Sequence, residues 1–115
     1  MMLAVLDDLM FTSKIKTAAR QLGASVSFAR SAPDALGQIR ASAPSLVVLD
    51  LNCERADPLG LVTSMKQDPM LASIPTLGYV SHVHTQVIDA ARQAGVDEIL
   101  ARSAFTERLT EILRR

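Results

Sequence analysis

The sequence predicts an α/β domain in which an open parallel sheet carries helices on both faces. Three observations predict it. Five stretches of strand length, three apolar and two half-exposed, alternate with five stretches of helical spacing, in strict βα order. The middle apolar stretch, Leu46-Val47-Val48-Leu49, has no polar alternation, as expected of a central strand covered on both faces. A chain of 115 residues, 49% of them hydrophobic, can bury one core and is short for two, so residues 1–115 read as a single domain.

The first strand is the apolar run Met2 to Leu6, which ends in Asp7-Asp8. The helix after it puts Phe11, Ile15, Ala18 or Ala19, and Leu22 on one face, and Gly23 follows as a left-handed stop. Val26 and Phe28 alternate with Ser25 and Ser27, the pattern of a half-exposed flanking strand. The second helix opens at Ser31, with Pro33 in its first turn and Asp34 three residues on, and turns Leu36 and Ile39 inward. After the central strand, Leu46 to Leu51, a third helix begins at Asp57-Pro58. The aspartate can cap there and the proline's missing N–H costs nothing; Leu61, Val62 and Met65 face the core. Thr76 to Val80 is the fourth strand, and the fourth helix runs from about Val83 through Val87, Ile88 and Ala91 to a glycine stop at Gly95. Ile99-Leu100-Ala101 forms a half-exposed fifth strand after an acidic pair, and the fifth helix carries Leu109, Ile112 and Leu113. No linker, low-complexity tract or repeat beyond the βα unit interrupts this order.

Charge narrows the function classes. Twelve lysines and arginines balance twelve aspartates and glutamates, so no long-range field draws the molecule to nucleic acid or to an anionic membrane. Cys53 is the only cysteine, which excludes an internal disulfide and a multi-cysteine zinc site and fits a reducing compartment, with the cytoplasm expected. The N-terminus lacks the basic start and apolar length of a signal peptide, and no run is long enough to span a bilayer.

In open parallel sheets, ligands bind outside the carboxyl ends of the strands. If the first and third strands are neighbours, Asp7, Asp8 and Asp50 converge on one rim, and like charges at that spacing must raise a pKa or recruit a cation. An oxygen-only site open to water and phosphate oxygens suits Mg²⁺. The acidic pair alone would read as a solvated turn; combined with Asp50 it reads as a pocket. Ser81, at the end of the fourth strand, can donate to an anion on the rim or cap the following helix. Arg102, at the end of the fifth, is a cation at the same edge or a solvated surface arginine. No glycine-rich phosphate loop of the spacing needed for a dinucleotide or ATP is present.

With these residues in place, the whole chain resembles the receiver domain of two-component response regulators, the CheY-like fold. LAVLDD at 3–8 matches the family's strand ending in an acidic pair, and LVVLDL at 46–51 the strand carrying the phospho-accepting aspartate. DPLGLVTSMK from Asp57 matches the following helix, IPTLGYVS ending at Ser81 the fourth strand with its Ser/Thr, and AGVDEILAR the segment closing on a lysine. The resemblance implies a doubly wound, flavodoxin-like (βα)5 domain with strand order 2-1-3-4-5. It implies phosphoryl transfer from a sensor histidine kinase or phosphotransfer protein to Asp50, as a signalling switch rather than an enzyme. Mg²⁺ would be bound by Asp8 directly, by Asp7 through water, by Asp50 and by the Asn52 backbone carbonyl. Ser81 would hydrogen-bond the phosphate and the cation at 102 would balance its charge. A downstream effector domain or protein would dock on the face of the fourth and fifth helices with the fifth strand, a face that could also dimerise.

The sequence departs from the family pattern at Arg102 for lysine, Ser103 for the following proline, Ile99 for the strand-five aromatic and His82 for a small residue. Glu54-Arg55-Ala56 stands where proline and glycine are usual, and Tyr79 reads as core. Arginine's planar fork needs different room from lysine's point charge, and without proline a cis peptide before residue 103 is not expected. These departures motivate an alternative: a degenerate receiver that keeps the fold and acts as a phosphorylation-independent interaction module. A haloacid-dehalogenase-like phosphatase is a third class, but the second aspartate of that motif and room for its cap are missing. The chain ends just after the fifth helix, so output would lie in another domain or protein.

Overall fold

The computed structural model describes residues 1–81 and 85–115. Five strands, β1 (Met2–Val5), β2 (Val26–Ala29), β3 (Leu46–Asp50), β4 (Thr76–Val80) and β5 (Glu98–Ala101), form one parallel sheet in the order β2-β1-β3-β4-β5. This is the order that the family resemblance implies. Side chains alternate along each strand and so feed two cores. Met2, Ala4, Leu46, Val48, Leu77 and Tyr79 pack with Phe11 and Ile15 of α1 (Leu9–Leu22), Phe105 of α5 (Arg102–Glu107) and Ile112 of α6 (Leu109–Leu113). Leu3, Val5, Val47, Leu49 and Val80 pack with α2 (Ala32–Ser42), α3 (Pro58–Gln67) and α4 (Thr85–Ala94). The unbroken apolar run in β3 follows from serving both cores, and each of Leu46 to Leu49 is at most 2% exposed. The edge strands β2 and β5 are half-exposed, as expected from the alternation in β2 and the acidic pair before Ile99.

The helix signals act where the sequence put them. Gly23 takes φ 67° and closes α1 through its N–H to the Ala19 and Arg20 carbonyls, a left-handed conformation that costs glycine little. Ser31 Oγ accepts from the Asp34 N–H at 3.3 Å, and Asp57 caps α3 by accepting from the Gly60 N–H at 3.2 Å. Of the two alanines proposed for α1, Ala19 is the buried one; in α2, Ala35 is fully buried beside Ile39 while Leu36 packs at the margin.

The differences lie at boundaries. β1 ends at Val5 and β3 at Asp50 rather than one residue later, and β5 gains Glu98. The expected fifth helix is two short ones, broken at Arg108 (φ −96°, ψ 7°), with Leu109, Ile112 and Leu113 buried as expected. Phe105, fully buried, anchors the piece that hydrophobic spacing did not reveal. The peptide bonds are all trans among the described residues, including the one before Ser103. His82 and His84, and the proposed start of the fourth helix at Val83, lie outside the described residues. No described helix is long and apolar enough to cross a membrane.

Candidate phosphoryl-acceptor site

The register of β1 against β3 aligns Val5 with Leu49, so Leu6-Asp7-Asp8 and Asp50 leave the sheet at one edge. Asp50 is the last residue of β3, part-buried, with its Cα beside that of Tyr79. One carboxylate oxygen, Oδ1, accepts from the Asn52 N–H at 3.0 Å. Among the described residues nothing donates to the other. Burial pushes the Asp50 carboxyl up from the usual aspartate range, the Asn52 N–H and Arg102 pull it down, and the Asp8 charge raises it again.

Asp8 has two employments. Its Oδ1 caps α1, accepting from the backbone N–H groups of Met10 (3.0 Å) and Phe11 (3.1 Å). Its Oδ2 accepts from Arg102 Nη2 at 3.2 Å. The Phe11 N–H is the main cause holding the Asp8 carboxyl below its ordinary value, with Arg102 and the Met10 N–H adding to it against the opposing effect of burial. Arg102 also lies over the Phe11 ring, its Cζ 4.2 Å from the ring centre, a cation–π contact.

Asp7 turns elsewhere. Arg55 Nη1 donates to its Oδ2 at 3.1 Å, and Arg30 Nε stands 3.9 Å from its Oδ1. The three carboxylates therefore leave by one edge without meeting in a single cluster: among the described residues no three His, Cys, Asp or Glu side chains could hold a metal together. The physical reason is local. Asp8 is drawn under the first turn of α1 as its cap, which leaves its neighbour Asp7 to the arginines of the adjoining loops.

Ser81 follows β4, and its N–H donates to Asn52 Oδ1 at 2.7 Å. The Asn52 side chain thus staples the loop after β3 to the end of β4, while its N–H holds Asp50. Beneath the site, Tyr79 stacks on Phe105 at 4.9 Å and lies 5.2 Å from Phe11. Its hydroxyl is buried with no hydrogen-bond partner among the described residues, and burial, reinforced by the Asp50 charge, pushes it far above the ordinary tyrosine range. Ile99 is partly buried against the α2–α3–α4 core. Cys53 is a half-buried free thiol in the loop after Asp50.

Sequence reasoning passed over the cap formed by Asp8, the Asn52 side chain, and Arg30 and Arg55 as counter-ions. The cap had a signal, an aspartate directly before a helical pattern. Arg30 had one too, since it directly follows Ala29, the register partner of Val5. Arg55 had none, because its direction depends on the short turn Glu54–Ala56.

The model of the response regulator receiver domain matches residues 2–114. The chain belongs to that family. Solved structures of the same fold include the receiver domain of NtrX from Brucella abortus, with 25% identity, 100% of this chain and 96% of that one covered, and a TM-score of 0.79. A putative response regulator from Chloroflexus aurantiacus has 24% identity over 99% and 98% of the two chains, at TM-score 0.80. The Mn²⁺-bound form of response regulator Rcp1 has 18% identity over 96% and 89%, at 0.77. Receiver domains are signalling domains that bind Mg²⁺ and interact with histidine kinases and effectors.

The donors of this receiver domain fit such a cation. Asp8, Asp50 and the Asn52 carbonyl, which accepts no hydrogen bond from a described residue, are hard oxygens. They would leave several positions to water and phosphoryl oxygens, as Mg²⁺ prefers.

Proposed function

We propose that this receiver domain accepts a phosphoryl group on Asp50, in a Mg²⁺-dependent reaction, and relays the event as a conformational signal. The setting of Asp50 carries the reading: a half-buried carboxylate at the end of the central strand, one oxygen held by the Asn52 N–H at 3.0 Å and the other accepting from no described residue. That second oxygen attacks the phosphorus of a phosphohistidine on a sensor histidine kinase or phosphotransfer protein, or of a small phosphodonor. The bond from phosphorus to the donor breaks, its electron pair leaves with the donor, and an aspartyl phosphate remains. Bound by Asp8, Asp50 and the Asn52 carbonyl, with Asp7 acting through water, Mg²⁺ would neutralise charge between the carboxylates and the phosphoryl oxygens.

Ser81 donates its hydroxyl to a phosphoryl oxygen. Because its N–H is tied to Asn52, that pull reaches the loops after β3 and β4 together. Arg102 balances the added charge. The acyl phosphate becomes a switch read by an effector domain or protein on the surface of α4, β5 and the α5–α6 pair, a surface that also suits a homodimer. The domain acts as one unit of residues 1–115 in the cytoplasm, without direct contact to nucleic acid or membrane.

Incubation with Mg²⁺ and acetyl phosphate, followed by intact mass, tests this. One phosphoryl adduct is expected in the wild type and none in Asp50→Asn; a wild type without an adduct overturns the reading. A second reading, the phosphorylation-independent interaction module, is favoured by one observation: Arg102 and Arg55 already sit on Asp8 and Asp7. It expects no adduct, and partner binding that Asp50→Asn leaves unchanged.

A further inference from the structure

Between the loop after β3 and the first turns of α3 and α4 lies a groove of about 470 Å³. Its apolar lining comes from Leu51, which is buried, and from Leu59, Val87 and Ala90, which are half-buried. The loop supplies Glu54 and Asp57, both exposed, and α4 supplies the carboxamide of Gln86. Two carboxylates thus line the groove, and no lysine or arginine does. Among the described residues neither carboxylate joins an ion pair, and Arg55, which stands between them in the chain, turns instead to Asp7.

Charge and size decide what such a groove takes. The N-terminal turns of α3 and α4 each bring roughly half a unit of positive charge. Two full carboxylate charges outweigh them, so an anionic ligand is repelled. A bare metal ion would leave the apolar walls in water. The volume of about 470 Å³ lies within the roughly 300–1,000 Å³ of small-molecule sites. We propose that this groove is a second binding site, for a small organic cation whose ammonium or guanidinium head lies at Glu54 and Asp57 and whose apolar body covers Leu51, Leu59, Val87 and Ala90. Burial of the body supplies the affinity, and the carboxylates select the sign of the head.

An occupant of the groove is felt at Asp50. Asn52 also lines it; the Asn52 N–H donates to Asp50 Oδ1 at 3.0 Å, and Asn52 Oδ1 accepts from the Ser81 N–H at 2.7 Å. A molecule packed on Leu51 and Asn52 therefore presses on the segment that holds Asp50 and ties it to the end of β4. The site stands whether or not Asp50 takes a phosphoryl group.

The test is a titration of the isotope-labelled chain with phenethylamine, which is protonated at pH 7, followed by amide NMR. Hydrocinnamate, the same body with a carboxylate head, is the control. Phenethylamine is expected to give saturable shifts at Leu59, Gln86, Val87 and Ala90 and, with the same apparent affinity, at Asn52 and Ser81; hydrocinnamate binds more weakly. Glu54→Gln, a change at an exposed side chain, should weaken phenethylamine about 2- to 5-fold and leave hydrocinnamate no weaker. Ala90→Phe fills the groove and should abolish the shifts; if that variant does not fold, Glu54→Gln and the reversed charge of the control decide. A wild type without saturable shifts, shifts scattered outside the groove, equal binding of the two compounds, or unchanged affinity in Glu54→Gln overturns the site. Saturation of the groove with Asn52 and Ser81 unmoved overturns its link to Asp50.

Discussion

Burial works against the charge of Asp50, and the consequence for stability has a definite sign. In the unfolded chain this carboxyl ionises near its ordinary value, while in the fold it ionises at higher pH. Between those values the folded state holds more protons, so stability falls as pH rises through that window. Asp50→Asn keeps the shape and an oxygen for the Asn52 N–H and removes the charge. In metal-free buffer the variant is therefore expected to unfold at higher urea than wild type at pH 7. The difference should vanish as pH falls below the usual aspartate range, and an equal or lower midpoint at pH 7 would contradict it. The position of Asp50 was legible in the sequence because it is the first charged residue after the unbroken apolar run Leu46 to Leu49. The partners of Asp7 and Asp8 were not, because they depend on arginine rotamers and on which way two consecutive loop residues turn, and no periodicity encodes either.

At the scale of elements, β3 and β4 are set against each other at Gly78. A Cβ built there would stand 2.6 Å from Leu51 Cδ1 and 2.7 Å from its Cγ, so the strand has room for Leu51 only because residue 78 lacks a side chain. Leu51 directly follows Asp50, and its N–H donates to the Tyr79 carbonyl at 3.0 Å. Gly78→Ala is expected to destabilise the fold by about 1–3 kcal/mol, as overpacking a filled core does. Leu51→Val in the same chain should recover part of that loss, and a single variant with an unchanged urea midpoint would refute the clash. The strands themselves were legible from their apolar runs. This fit was not, because a glycine within a strand pattern says that something approaches closely without saying what. The broken last helix is a similar case: Leu109, Ile112 and Leu113 mark its inner face but carry no sign of the turn at Arg108.

For the whole molecule, the strand order puts β1, β3 and β4 inside and leaves β2 and β5 each with an open edge. Opening a central strand requires the sheet to come apart, whereas an edge strand can fray alone. Native-state hydrogen exchange should therefore find the amides of Val48 and Leu49 exchanging only through global unfolding, and those of Phe28 and Leu100 faster. Uniform protection across all five strands would contradict this. That hierarchy puts the proposed acceptor, Asp50, on the most persistent strand and the proposed effector surface beside an edge that moves more easily. Asp8, finally, bears on how such chains would diverge. One of its oxygens starts α1 and the other holds the first residue of α5, so it joins two helices of one layer whether or not a phosphoryl group ever arrives. A descendant that abandoned phosphorylation would still lose a helix cap by discarding it, whereas Asp50 could drift to asparagine and keep its one hydrogen bond. An aspartate at position 8 is thus a poor token of a working switch, and the residue at position 50 is the better one.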